Sequence, residues 1–466
     1  MKLTLCTPLV LTVLIAGLCQ TAQAQDIDLA PLDALPPPST TASGPTTLFQ
    51  NVRIFDGTSV TLSNPSNVLV RNNIIERISV SPITVDTNAN VTVIAGSGRV
   101  LMPGLIDAHW HSFMAATPQM LLMTATSDYL LLLAARQAET TLMQGFTTVR
   151  DLGGPVFGLK RAIDEGVTVG PRIYPSGAMI SQTSGHGDFR FSFELPRTPG
   201  GPLSHSELEG IAAIADSPDE VRLRAREQLR QGASQIKVMA GGGVSSAYNP
   251  IESIQFTEPE IRAAVEAAEN WGTYVTVHAY TPAAIRQAIA AGVKCIDHGQ
   301  LIDEPTVKLM ADKGIWWSLQ PLLDDEDIAP MDPVSRKKAL EVFAGTDNAY
   351  RLARKYNVKV AFGADILFSP RVASTRHGAQ LTKLLRWYPP AEILKMATAS
   401  NGELMALSGF INPYPGKLGV VKEGALADLL LVDGNPIENI KLIEDPNKNL
   451  LVIMKNGTIY KNTLPK

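Results

Sequence analysis

Short apolar runs of strand length mark both ends of the chain, and blocks of two kinds alternate between them. Near the start, "TLFQNVRIFDG", "NVLVRNNIIERIS" and "NVTVIAG" are rich in β-branched residues and separated by turn residues. Similar runs return only near the end, in "ADLLLVDGNP" and "LVIMKNGTIYKN". There Asn456-Gly457, between "VIMK" and "TIY", is a strong hairpin signal. The two ends therefore predict one small composite β-sandwich domain, residues 47–102 and 412–466, with the middle inserted.

That middle alternates strand and helix. The strand candidates are "GLIDAH", "TTVRD", "RIYPSGAM", "QIKVMA", "YVTVHAY", "CIDHG", "IWWSLQP" and "VAFGAD". Helical patterns lie between most of them. "SPDEVRLRAREQLRQG" opens with Ser217 as N-cap, Pro218 at the first helical position and Glu220 at the third. "TEPEIRAAVEAAENWG" starts similarly with Thr257, Pro259 and Glu260. Strand–helix units repeated over residues 103–411 predict an α/β fold, a (β/α)8 TIM barrel. A doubly wound open sheet is the alternative, but no Gly-x-Gly-x-x-Gly opens a helix after the first strand.

The composition, 45% apolar and 18% charged, is that of a globular chain able to bury a large core. A net charge of −4 argues against nucleic acid or an anionic membrane as partner. The first residues read as a signal peptide over 1–24: Lys2, the apolar run Leu9 to Leu18, and Ala22-Gln23-Ala24 as cleavage site. A flexible Pro/Thr-rich leader follows over 25–46. The expected location is periplasmic or secreted, with no membrane contact after cleavage. An uncleaved anchor and a lipoprotein at Cys19 are the alternatives, though Leu18 is bulky for a lipobox. Of Cys6, Cys19 and Cys295, cleavage leaves only the last, so no internal disulfide is expected.

The chemistry-bearing residues collect at the C-terminal ends of the barrel strands, the face where such barrels assemble active sites. His109 and His111 end the first, Asp151 the second; Lys237 lies in the fourth, His278 in the fifth, His298 in the sixth, and Asp365 at the eighth. Residues two apart on a strand share a face, so His109 and His111 can grip one ion while Trp110 points away. One packed and one solvated histidine is the other reading. Lys237 sits between Ile236 and Val238 in an apolar run. It is either ion-paired or a neutral amine to which carbon dioxide adds, giving a carbamate. His278 and His298 are ligands or satisfied core histidines; Asp365 is a ligand or a helix cap. His186, in the loop "SGHGD", contacts substrate or makes a loop hydrogen bond. Gly241, Gly242 and Gly243 either offer amides to an anion or make a tight turn. Tyr248, Tyr280 and Arg190 are further pocket candidates. His205 and His377, in polar stretches, are expected at the surface.

The pieces "PGLIDAHWH", "TTVRDLGG", "IKVMAGGGV", "VTVHAY", "IDHG" and "FGAD", with the tail "GKLGVVKEGALADLLLVDGNP", resemble the amidohydrolase superfamily over roughly residues 47–463. Within it, "SQTSGHGDF" and "IKVMAGGGVSSAYNPIESIQFT" resemble the ochratoxinase branch and its bacterial prolidase-like relatives. The resemblance implies two Zn2+ ions: His109, His111 and Asp365 at one, His278 and His298 at the other, carbamylated Lys237 and a hydroxide bridging them. It implies hydrolysis of N-acyl amino acids or dipeptides with a free carboxylate, ochratoxin A included. The bridging hydroxide would attack, Asp365 would move the proton, and His186 or Tyr280 would stabilise the oxyanion. "HAY" departs from relatives carrying a second histidine or a glycine there, so Tyr280 leaves the pocket open. The expected partner is a small-molecule amide, and the expected assembly a homo-oligomer. The rivals are an Xaa-Pro or Xaa-Arg/Lys dipeptidase, a lactonase or phosphotriesterase on the same site, and a non-catalytic binding protein on the same scaffold.

Overall fold

A computed structural model describes residues 45–85, 91–196, 198, 201–246 and 248–465. The predicted signal peptide, and the leader up to residue 44, lie outside the described residues. Strands from both ends make the sheet domain: β1 (Thr46–Ile54), β2 (Ser66–Arg71), β3 (Ile74–Ser79), β4 (Val91–Ala95) and β5 (Val100–Pro103) come first. After the barrel strands β6 to β15, described below, come β16 (Leu429–Val432), β17 (Leu450–Lys455) and β18 (Thr458–Asn462). They follow one path, β18-β17-β16-β5-β1-β2-β3, with β4 on β1. Early and late segments meet where β5 pairs antiparallel with β16, Leu429 opposite Pro103. A bulge between Phe49 and Val52 lets the first half of β1 pair with β4 and its last residues with β5. The two halves of the path share a core that includes Phe49, Val68, Leu101, Leu429 and Val452. The β17–β18 turn uses Asn456 and Gly457, both with positive φ, 54° and 75°, as the hairpin signal requires.

The chain belongs to the TIM-barrel fold class, with mixed α/β content and this separate sheet domain. The barrel strands are β6 (Leu105–Trp110), β7 (Phe146–Asp151), β8 (Arg172–Pro175), β9 (Met179–Ser181), β10 (Ala212–Ile214), β11 (Ile236–Met239), β12 (Val275–Ala279), β13 (Cys295–His298), β14 (Trp316–Leu319) and β15 (Val360–Phe362). Helices fall between most of them, and the anticipated caps are present. Ser217 Oγ accepts the Glu220 N–H at 3.3 Å ahead of helix Pro218–Gln231, and Gly232 ends that helix at φ 105°. Thr257 and Glu260 form a capping box for Glu258–Asn270.

The third strand departs from the sequence pattern. "RIYPSGAM" is not continuous: β8 pairs with β7, whereas β9 pairs with β11 and also carries β10. Pro175 has no N–H to continue a ladder, and Gly177 turns the chain at φ 72°. At the other seam, β15 meets β6 through the Asp365 N–H, which donates to the His109 carbonyl at 2.9 Å. Asn401 Nδ2 ties the Ile106 and Phe362 carbonyls at 2.7 and 2.8 Å. Gly363 makes the approach possible, since a Cβ there would stand 2.4 Å from His109 Cβ. Among the described residues no helix is long and apolar enough to cross a membrane.

Candidate active site

Parallel pairing levels the ends of successive strands, setting Met239 beside His278 and Ala279 beside His298. Side chains from β6, β12, β13 and the residues after β15 therefore meet at one depth. His109 Nε2 and His111 Nε2 each lie 3.5 Å from Asp365 Oδ1, and His298 Nδ1 lies 3.8 Å from Asp365 Oδ2. Trp110, between the two histidines, turns away and stacks on His377 at 4.6 Å. The His109 and His298 rings are 4.8 Å apart, and those of His278 and His298 4.5 Å. His298 and Asp365 hold left-handed backbone, φ 75° and 47°, sparsely populated by residues with side chains. Such strain is found where a site needs an otherwise unfavourable direction.

Burial pulls the imidazole pKa values of His109, His278 and His298 below the ordinary range, keeping the rings neutral with a lone pair to offer. Burial raises Asp365, but the neighbouring His109, His111 and His298 outweigh it and hold the carboxyl below its ordinary value. His278 Nε2 lies 3.0 Å from the Gly242 carbonyl. That oxygen can only accept, so the ring donates from Nε2 and leaves Nδ1 bare. Among the described residues, His111 Nδ1, His298 Nδ1 and Asp365 Oδ1 are buried without a hydrogen-bond partner. Leaving such atoms bare costs about 1–3 kcal/mol each, which coordination of a cation would relieve. Ligand atoms of His109, His298 and Asp365 all lie within 4.8 Å of one another. Neutral imidazoles and a carboxylate so arranged fit divalent-cation binding.

Lys237 is 1% exposed, and its Nζ donates to Asp297 Oδ2 at 2.7 Å. Burial pulls its amine below the ordinary value. Asp297 also accepts from Arg150 at 2.7 Å and from Thr276 at 2.8 Å, and stands 3.5 Å from His109 Nδ1. As an unmodified amine, Lys237 is ion-paired to Asp297.

Above this floor opens a cavity of about 200 Å3. Its lining includes Met114, Met179, Phe189, Met239, Phe343 and Phe368, with Asp325, Asp327 and Lys383. His186 and Tyr280 line it too. The His186 ring lies 4.2 Å from that of His278, and Tyr280 packs edge-on to His278 at 5.0 Å. Burial drives the His186 pKa down to about 3 and pushes the Tyr280 phenol up.

Several expectations need correction. The Gly242 N–H donates to the Ser253 carbonyl and the Gly243 N–H to Asn249 Oδ1, both at 3.0 Å, so neither amide is free for an anion. Lack of a side chain matters instead: a Cβ on Gly243 would stand 2.1 Å from the His186 ring, and one on Gly242 1.9 Å from the Pro250 carbonyl. Gly241 is bridged to Ile254. Tyr248 is 70% exposed and absent from the cavity lining, and Arg190 is taken up by Asp188 at 2.6 Å. His377 is fully buried, not at the surface. Its Nε2 meets Asp107 Oδ2 at 2.6 Å, while Asp107 Oδ1 accepts the N–H groups of His109 and Ala364 at 2.8 and 3.1 Å. His205 is half-buried. Asp107, Arg150 and Asp297 were missed, although each is a charge within an apolar strand, the signal that singled out Lys237.

The amidohydrolase family profile matches residues 100–460. The chain is 33% identical over 377 residues to ochratoxinase of Aspergillus niger, covering 78% of this chain and 76% of that protein. A solved amidohydrolase superposes with a TM-score of 0.82 at 34% identity, covering 90% of this chain and 100% of the other. A prolidase complexed with N-methylphosphonate-L-proline superposes at 0.81 and 32% identity, again over 90% and 100%.

Proposed function

The chain belongs to the amidohydrolase family and is a hydrolase of amide bonds, and from that premise we propose that it cleaves N-acyl amino acids or dipeptides bearing a free carboxylate. The observation that carries the reading is the meeting of His109, His111, His278, His298, Lys237 and Asp365 beneath one largely apolar cavity. His109, His111 and Asp365 would hold one divalent cation, His278 and His298 a second, and a carbamylated Lys237 would join them. Zinc is the metal proposed. Such cations supply a Lewis acid and lower the pKa of water at the site.

The chain's own groups do the rest. Methionines and phenylalanines keep bulk water from the reacting amide and accept an apolar acyl group or side chain. Asp365, whose Oδ1 has no hydrogen-bond partner among the described residues, takes the proton of the attacking water and delivers it to the departing nitrogen. His186 and Tyr280, both in the cavity lining, would donate to a substrate oxygen. The leader sequence makes an exported enzyme part of the proposal.

The test is a hydrolysis panel with zinc added: N-acyl-phenylalanine, Xaa-Pro and Xaa-Arg dipeptides, ochratoxin A, a lactone and a phosphotriester. The free-acid amides should be cleaved, most readily those with apolar groups, and chelation should abolish turnover. Cleavage of the lactone or phosphotriester alone would overturn the reading. So would zinc-free protein with undiminished activity.

A further inference from the structure

The glycine-rich loop after β11 is held by a lysine that forms no ion pair among the described residues. Lys338, on helix Pro333–Lys355, is 8% exposed. Its Nζ donates to the carbonyls of Gly243, Ser246 and Asn249 at 3.1, 2.6 and 2.7 Å. An ammonium has three N–H bonds, and here each finds one backbone acceptor.

Within the loop, donor and acceptor roles can be traced from the Gly243 N–H outward. The Gly243 N–H can only donate, so the Asn249 atom 3.0 Å from it is the amide oxygen. The Asn249 NH2 therefore faces Ser246 Oγ, to which it donates at 2.6 Å. Ser246 keeps one proton, and among the described residues its other side-chain partner is His186 Nδ1 at 2.7 Å. Donating that proton to Nδ1 satisfies both atoms, and Nδ1 then accepts. A neutral imidazole that accepts at Nδ1 carries its proton on Nε2. His186 lines the cavity, and its Nε2 has no hydrogen-bond partner among the described residues.

We propose that Lys338, Asn249 and Ser246 fix the tautomer of His186, so that its Nε2–H is presented to the cavity as a donor for a substrate oxygen. Ser246 and Lys338 are positioning residues, acting through the imidazole. The site then favours a carboxylate or carbonyl oxygen at this point and rejects an N–H group. Its use in catalysis rests on the amide-hydrolase reading above; the tautomer does not.

Two measurements on zinc-loaded protein separate the two claims. The first is the 15N spectrum of protein labelled at its seven histidines, with His186 assigned by loss of its signal in His186→Ala. Nitrogen shifts of the Nε2–H form are expected, giving way to a tautomer mixture in Ser246→Ala. An Nδ1–H ring in the wild type overturns the proposal. The second is kinetic: Ser246→Ala should lose tenfold or more in kcat/KM, about 1.4 kcal/mol, with zinc content unchanged. Ser246→Thr, which keeps the hydroxyl, should restore most of it. In a His186→Ala background, Ser246→Ala should cost nothing more; an equal cost in both backgrounds overturns action through His186. A wild type inert to every amide, yet showing the Nε2–H ring, would sink the substrate reading while supporting the tautomer.

Discussion

Lys237 Nζ and Asp297 Oδ2 meet at 2.7 Å with both residues almost wholly withdrawn from solvent, and Arg150 completes the cluster from the far side of the carboxylate. In the metal-free protein with an unmodified lysine, removing the carboxylate strands two buried cations. Asp297→Ala should therefore cost on the order of 3–5 kcal/mol, read as a lower denaturant midpoint. Lys237→Ala leaves Asp297 paired to Arg150, so it should fold but lose zinc and activity together. Full zinc content with full turnover in Lys237→Ala would refute the lysine's place at the metals.

Asp365 tests the proton path. Asp365→Asn keeps the shape and one possible ligand oxygen but has no carboxylate to carry a proton. Turnover should fall by a factor of about 10^2 to 10^4, with part of the zinc retained. Near-normal kcat with bound metal would remove Asp365 from that role.

Gly243 tests the loop against the ring. An added Cβ would enter the His186 imidazole, whose ring lies 4.2 Å from that of His278. Gly243→Ala should lower kcat/KM at least tenfold while zinc content and thermal midpoint change little. An unchanged kcat/KM would mean that the placement of His186 does not matter to turnover.

Acid should loosen one wall of the cavity. Asp327, in the segment after β14, is ion-paired to Arg371, Arg376 and Lys383, accepts from Gln380, and has Glu326 and Asp325 as acidic neighbours, Asp325 sharing Lys383 at 2.7 Å. Burial raises its carboxyl, but the Arg376 and Gln380 hydrogen bonds and the Lys383 charge outweigh it and bring the value down to about 2. A lowered carboxylate stabilises the fold above its unfolded pKa and loses that contribution as pH falls through the folded one. Protection of this segment from hydrogen exchange should fall between about pH 4 and pH 2. Asp327→Asn should raise KM at neutral pH; an unaltered KM would detach this ion-pair cluster from substrate binding.

Strand periodicity and helix caps made the alternating barrel legible, because burial on both faces and capping are local demands written at fixed spacings. His-x-His, His278 and His298 were legible for the same reason: each stands where a strand must end. The break between β8 and β9 was hidden although Pro175 and Gly177 mark it, since the apolar residues on either side read as one run and only the hydrogen-bond partners change. His377 was misplaced because its neighbours in sequence are polar, whereas its surroundings are Phe146, Trp110 and Asp107, brought from other strands. The roles of Gly242 and Gly243 depend on what approaches them, Pro250 and His186, which no local pattern encodes.

The antiparallel seam between β5 and β16 orders events during synthesis. Val100 to Pro103 leave the ribosome early, but Leu429–Val432 emerge only after the whole barrel has been made. Until then β5 has an apolar edge without its neighbour, open to any passing strand. The nascent chain therefore carries that open edge until residue 432 is made, and a chain shortened before residue 429 would keep it for good, favouring aggregates over a slightly less stable enzyme.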